Sequence, residues 1–465
     1  MQLPQQLLDS LINIKGFDKE AFEKVHASGE QITSIRINPF KSAIINSEWS
    51  IGNPTHHSPL TIHIPWSTYG YYLSQRPSFT FDPFFHAGVY YVQDASSMFL
   101  EQALLQTTDL SKPLKILDLS AAPGGKSTHI QSLISKGSLL VSNEVIRSRA
   151  NILKDNIIKW GCENVMVTNN DPKDFAKLEN YFDVIVVDAP CSGSGLFRRE
   201  PEAIGEWSLN NVQLCSQRQQ RILADVWPAL KKDGVLIYST CSYSKEEDED
   251  IVNWMLKKLT VESCQLAVPS EWGIVSVTGS SGAYGYRFWP DKVKGEGFFM
   301  ACLRKTDGEE DAFLKIKKRP ESATKKDLII IEKWAKTEAY HFIKYINTVY
   351  AWPQQLANDF SLLLSNLRVI YSGTIIGEIV REKLVPDHAL AMSPIVNEWV
   401  GKTGLNYGQA IDYLKRKELK IETLTNGWQL VNYEGHSLGW INVLPNRINN
   451  YYPKELRILK DLRQV

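Results

Sequence analysis

The sequence predicts an α/β protein built on a doubly wound sheet, with an N-terminal α+β region and a β-rich C-terminal module. Three observations carry that expectation. Short apolar, β-branched runs alternate with helical patterns between residues 111 and 305, which implies parallel strands joined by right-handed crossovers. A glycine-containing turn, LDLSAAPGGKST at 117–128, joins the first of these strands to its helix. Beyond about residue 373 the pattern becomes short strands with glycine turns, GTIIGEIV and then GWQLVNYEGHSLGWINVLP.

In order along the chain, residues 1–110 carry a helical pattern over Leu3–Ala27, a short strand at Thr33–Ile37 and a proline- and aromatic-rich stretch to Ala87. The segment 111–305 holds KILDL (115–119), a helix from Lys126, LLVSN (139–143), a helix from Arg147, VMVT (165–168) and DVIVVD (183–188). A long helical pattern to Leu230, the strand GVLIYST (234–240), the helix EEDEDIVNWMLKKL and the strand FFMACL complete it. Residues 306–375, with the Lys-rich KIKKRPESATKK at 315–326, are expected to connect this unit to a module at 376–465.

Composition limits the function. With 465 residues, 52 Lys plus Arg and 52 Asp plus Glu, the chain is neutral overall, which excludes a highly basic nucleic-acid coat or an acidic tail. The 6 cysteines contain no C-x-x-C pair, so neither a disulfide scaffold nor a metal site is expected. The N-terminus lacks a signal-peptide pattern and no apolar run is long enough to span a bilayer. The expectation is a cytoplasmic monomer with no membrane association and reduced thiols.

The turn at 117–128 is the first chemical signal. Gly124 and Gly125 let backbone N–H groups at a helix N-terminus approach a ligand closely. Gly125-Lys126-Ser127 and DVIVVD imitate the two motifs of a P-loop NTPase, but that loop needs a glycine where Ser120 stands, and Ala121-Ala122-Pro123 stiffens the turn. Glu144, Asp171 and Asp188 follow the second, third and fourth strands, so all three face one crevice. Three carboxylates would repel a triphosphate. S-adenosylmethionine, with its cationic sulfonium and its ribose, suits the pattern better than ATP.

Two cysteines occupy neighbouring strand ends, Cys191 in DAPCSGSG and Cys241 in STCS. Free cysteine is usually a small core hydrophobe, and Cys162, Cys215, Cys264 and Cys302 read that way. Cys191 and Cys241 instead lie among polar turn residues. A thiolate added to C6 of cytosine makes C5 nucleophilic enough to attack a methyl donor, and a carboxyl beside the base can stabilise the developing charge.

Together LDLSAAPGGKST, Asn143-Glu144, Asp171, DAPCSGSG and STCS resemble the RNA cytosine-C5 methyltransferase family of NOP/Sun type. The likeness extends to SIRINP (34–39), residues 76–102, RFWPDKVKGEGFFMA (287–301) and, at 438–458, to the C-terminal part of its bacterial F-type members that act on 16S rRNA. The resemblance implies a Rossmann-like S-adenosylmethionine-dependent core and a PUA-like C-terminal module. It implies Cys241 as the nucleophile, Cys191 assisting product release, and Asp188 and Lys126 in the active site. Cofactor contacts carry over to Ser120, Ala121, Ala122, Pro123, Gly124, Gly125, Lys126, Glu144, Asp171 and Asp188, with Arg149 as an addition. The implied partner is ribosomal RNA, 16S, free or within the 30S subunit. Arg198, Arg199, Arg287, Lys292, Lys294 and the 315–326 stretch are the candidate phosphate contacts. The competing reading is an rRNA-binding assembly factor without catalysis.

Overall fold

The computed structural model describes residues 2–41, 50–53, 56–59, 62–308, 314–317, 319–421 and 425–460. Its centre is a 10-stranded sheet. Five parallel strands form the middle, in the spatial order Leu230–Thr240, Phe182–Asp188, Lys115–Asp118, Leu139–Asn143 and Val165–Thr168. The chain order reverses at Lys115–Asp118, which opens a crevice beyond the carboxyl ends of the strands at that point. Strand alternation sends Ile116, Leu140, Val165 and Val184 into one apolar layer and Leu117, Val141, Met166 and Ile185 into the other. Both faces are covered, as continuous apolar strands require.

The flanks of this sheet are antiparallel. Phe298–Lys305 pairs with the Leu230–Thr240 strand, followed outward by Tyr284–Phe288 and Val275–Thr278. At the opposite edge Val369–Ser372, from far along the chain, pairs with Val165–Thr168. The sequence placed this segment in the connector, with no sign that it completes the central sheet.

The expected helix over Leu3–Ala27 is two helices, Gln5–Leu11 and Lys19–Ala27. Gly16 breaks it with φ of 85°, where a Cβ would lie 2.9 Å from the Trp289 indole nitrogen, and Asp18 caps the second helix through the Ala21 N–H. Leu7, Leu8, Leu11 and Phe22 pack on Phe197, Tyr243 and Trp289, so the N-terminus buttresses the loop that follows Cys241. A four-stranded antiparallel sheet, with Thr33–Ile37 between Gly70–Leu73 and Tyr90–Val92, reaches the helix Gly125–Leu133, which follows the glycine turn and is here called the cofactor helix, through Arg36.

Residues 340–386 form a further antiparallel sheet from Tyr340–Tyr345, Thr348–Pro353, Thr374–Val380 and Lys383–Pro386. It runs across the 375/376 position where the sequence suggested a boundary, because Tyr350 and Ala351 pair with Ile375 and Thr374. The last sheet joins Lys402–Leu405 in parallel to Gly427–Tyr433, then turns at Glu434-Gly435, both at positive φ, into His436–Leu444. Its core merges with that of the N-terminal region: Phe84 and Tyr90 share one cluster with Tyr413 and Ile441.

Candidate active site

The first parallel strand ends at Asp118, whose carboxyl lies beneath the glycine turn and accepts from Ser127 Oγ at 2.7 Å. Burial raises its pKa to about 7, and its second oxygen has no hydrogen-bond partner. The turn itself has Gly124 at φ of 117°, capping a helix that begins at Gly125. The Tyr91 ring packs beside Gly125, 3.4 Å from where a Cβ would stand. Arg149 Nη2 donates to Ala122 O at 2.9 Å and Asn156 to Pro123 O at 2.9 Å, which fixes Ala121-Ala122-Pro123 from the second helix.

Glu144, at the end of the second strand, is buried, accepts from the Ile146 N–H at 2.9 Å and lies 3.5 Å from Arg149 Nη1. Asp171 stands past the third strand, accepting from the Lys173 N–H at 3.2 Å. The glycine cradle, the orphan oxygen of Asp118 and acids at successive strand ends form a polar, phosphate-averse slot. The residues present fit S-adenosylmethionine, with Glu144 placed for ribose hydroxyls and the turn for the amino-acid end.

Asp188 ends the fourth strand in register with Ser239 of the fifth. Lys126 Nζ lies 2.8 Å from Asp188 Oδ2, and Ser239 Oγ donates to Asp188 Oδ1 at 2.8 Å. The ammonium also sits 5.2 Å from the Phe298 ring. The register carries Cys191 and Cys241 to the same end of the sheet, and their sulfurs are 2.9 Å apart. The contact with Cys241, together with burial, pushes the Cys191 thiol well above its ordinary pKa. Close backbone contact holds the loops: the Gly195 N–H donates to Cys241 O at 2.9 Å and the Gly297 N–H to Gly195 O at 3.0 Å. A Cβ on Gly195 would lie 2.3 Å from Gly297 O.

Thus the structure brings Lys126, Asp188, Cys191 and Cys241 together and links Glu144 to the turn through Arg149, while Asp171 lies 3.9 Å from Arg221 of the helix Leu209–Val226. Several expected phosphate contacts are instead structural. Arg198 is buried against Glu296 and Gly295 O, and Arg287 is buried with Asp248 at 3.1 Å and bonded to both Glu249 oxygens. Both arginines neutralise acids that the sequence gave no means of pairing with them. Lys292 pairs with Asp291 at 2.7 Å and Arg199 with Glu200 at 2.9 Å, while Lys294 is exposed. Within 315–326, Lys318 lies outside the described residues.

Two residues were not legible as part of the site. Arg36, in SIRINP, is fully buried and reaches across to Thr128 Oγ1 at 2.6 Å and Gly125 O at 3.3 Å, tying the N-terminal sheet to the cofactor helix. Glu247 lies in an acidic run that reads as a solvated helix start, yet it is buried between the two cysteine loops.

Comparison with known proteins places the chain among rRNA methyltransferases. The family profile described as 16S rRNA methyltransferase RsmB/F matches residues 105–304. The N-terminal domain of 16S rRNA methyltransferase RsmF matches residues 3–95, and the methyltransferase RsmF PUA domain matches 401–458. Ribosomal RNA small subunit methyltransferase F of Shewanella piezotolerans is 29% identical, over 91% of this chain and 90% of its own length. Its counterpart in Psychromonas ingrahamii is 28% identical, over 98% of this chain and 97% of its own. Among solved structures, a methyltransferase homolog protein from Pyrococcus horikoshii superposes with a TM-score of 0.50 at 25% identity, covering 65% of this chain and 100% of that one. NSun6 from the same organism, in a structure with the S-adenosylmethionine analogue SFG, gives a TM-score of 0.51 at 20% identity, covering 66% of this chain and 99% of that one.

Proposed function

Because the chain belongs to the 16S rRNA methyltransferase RsmB/F family and uses S-adenosylmethionine, we propose that it methylates carbon 5 of a cytosine in small-subunit rRNA through a Cys241–C6 covalent bond. The observation that carries this reading is the thiol pair, with Cys191 and Cys241 2.9 Å apart at the sheet end that also bears the Lys126–Asp188 ion pair.

The Cys241 thiolate attacks C6 of the cytosine, and the electron pair of the C5–C6 bond moves toward N3 while the ring is charge-stabilised by the neighbouring donors. Bound S-adenosylmethionine would supply the electrophilic methyl group, its sulfonium leaving as the neutral thioether S-adenosylhomocysteine when C5 takes the methyl. The new C5–CH3 bond leaves one proton on C5; a base removes it, the C5–C6 double bond re-forms, and the C6–S bond breaks to return Cys241. Cys191, its sulfur 2.9 Å from that of Cys241, would serve this elimination. Lys126 holds Asp188 toward the crevice, where the pair can meet the polar edge of the base. The base must be unstacked to enter, which favours an accessible or remodelled RNA site.

The affinity for RNA is expected to come from locally placed cations and RNA shape, since the chain has no net charge. Incubation with radiolabelled cofactor and 30S subunits or naked 16S rRNA should yield 5-methylcytosine. Label at another atom would overturn the C5 assignment, and cofactor binding with no transfer to any RNA would favour the assembly-factor reading.

A further inference from the structure

We infer that Glu247 is a positioning residue for the thiol pair: one carboxylate that joins the two cysteine loops and holds their sulfurs in contact. Four hydrogen bonds converge on it. From the Cys191 loop, the Ser192 N–H donates to Oε1 at 2.8 Å and Ser192 Oγ to Oε2 at 2.5 Å. From the Cys241 loop, Ser242 Oγ donates to Oε2 at 2.7 Å. From the long helix Leu209–Val226, Gln219 Nε2 donates to Oε1 at 3.3 Å, and its same amide donates to Pro190 O at 3.1 Å. The residue after each cysteine is therefore held by the same side chain, and the residue before Cys191 is held through Gln219. At its own backbone, Glu247 O accepts from Tyr238 OH at 2.6 Å, which anchors the carboxylate to the fifth parallel strand.

The charge matters as well as the bonds. Glu247 is fully buried, and its negative charge is among the causes that hold Cys191 above the ordinary thiol range. A carboxylate tied to both loops holds the two sulfurs in their contact of 2.9 Å and disfavours ionisation of Cys191. The other ionisable groups facing the pair or Glu247 are Asp188, Tyr238 and Asp248, with Cys215 and Arg218 from the long helix. Among the described residues, hydrogen bonds to both cysteine loops are recorded from Glu247, whereas Asp248 is taken up by Thr240 and Arg287.

This inference rests on Cys241 as the nucleophile, but its test requires neither RNA nor methyl transfer. The full-length protein is alkylated with iodoacetamide from pH 6 to 10, and each cysteine is followed by peptide mass spectrometry. In the wild type Cys191 should label slowly at pH 8. In Glu247→Gln its labelling midpoint should fall, raising its rate at pH 8 up to roughly tenfold. Glu247→Asp, which keeps the charge, should restore the wild-type profile and more of kcat than the Gln variant retains. An unchanged Cys191 profile in folded Glu247→Gln overturns the inference. Rapid labelling of Cys191 in the wild type at pH 8 overturns it even if that variant does not fold. Loss of 5-methylcytosine chemistry with the labelling shift intact would instead remove the proposed reaction and leave the role of Glu247 standing.

Discussion

The sulfurs of Cys191 and Cys241, separated by 50 positions in the chain, meet at 2.9 Å because parallel strands Phe182–Asp188 and Leu230–Thr240 end in register. Two thiols that close can divide a reaction between them. Cys241→Ala should abolish methyl transfer, whereas Cys191→Ala should accumulate a protein–RNA adduct that survives a denaturing gel. An adduct from the Cys241 variant would reverse the two roles.

The Lys126–Asp188 pair can be weighed by charge removal. Asp188→Asn and Lys126→Met should each lower kcat by about 10²-fold or more, with thermal stability little changed, on the scale of losing one preorganised polar group. Single-turnover rates with saturating cofactor would measure this. A change confined to KM for RNA would place the pair in binding.

Glu144 is buried at the edge of the cofactor slot, and Arg149 restrains it. Replacing it with Gln should weaken S-adenosylmethionine binding by about tenfold, the scale of one hydrogen bond to a charged group, as read by calorimetry in the absence of RNA. RNA affinity should not move.

Arg287 offers the opposite case, a cation whose work is structural. Arg287→Met leaves Asp248 and Glu249 uncompensated in the interior and should cost about 3–5 kcal/mol of unfolding free energy, measured with urea. The salt dependence of RNA binding in any folded fraction should keep its slope, because this guanidinium does not face solvent.

Acid should destabilise the fold through its buried histidine His26. His26 is buried against Phe22 and Tyr243, and burial lowers its pKa from 6.5 to about 4. The unfolded chain therefore binds a proton that the folded chain refuses between pH 6.5 and 4. Stability from this group is complete above pH 6.5 and falls as the pH drops toward 4. The melting temperature should be lower at pH 5 than at pH 7, and His26→Met should flatten that slope.

Much of the central sheet was legible because parallel strands buried on both faces are written as continuous apolar runs, and their carboxyl ends collect the site. DAPC and STCS could be placed side by side from the strand order of a methyltransferase sheet. What escaped notice were residues whose meaning depends on distant partners. Arg36 lies 92 positions from Thr128, and Arg287 lies 38 from Glu249. A charged residue paired across such separations has the same local appearance as one facing water. Glu247 was hidden for the related reason that its neighbours, Glu246, Asp248, Glu249 and Asp250, make the segment look uniformly solvated. The break at Gly16 was obscured by apolar residues on both sides that suit a helix, while the decisive contact, with Trp289, comes from the other end of the catalytic unit.

The strand Val369–Ser372 closes an edge that would otherwise end at Val165–Thr168. Its neighbour Arg368 also exchanges hydrogen bonds with Asn169 and Asn170, immediately before Asp171. The part of the chain that follows the connector is thus stitched to the rim of the cofactor slot. A protein cut after residue 305 would keep Lys126, Asp188, Cys191 and Cys241 yet bare a row of unpaired amides, an adhesive border where such sheets self-associate. Evolution could not trade this tail for another as a detachable cassette without also refitting the enzyme's own margin.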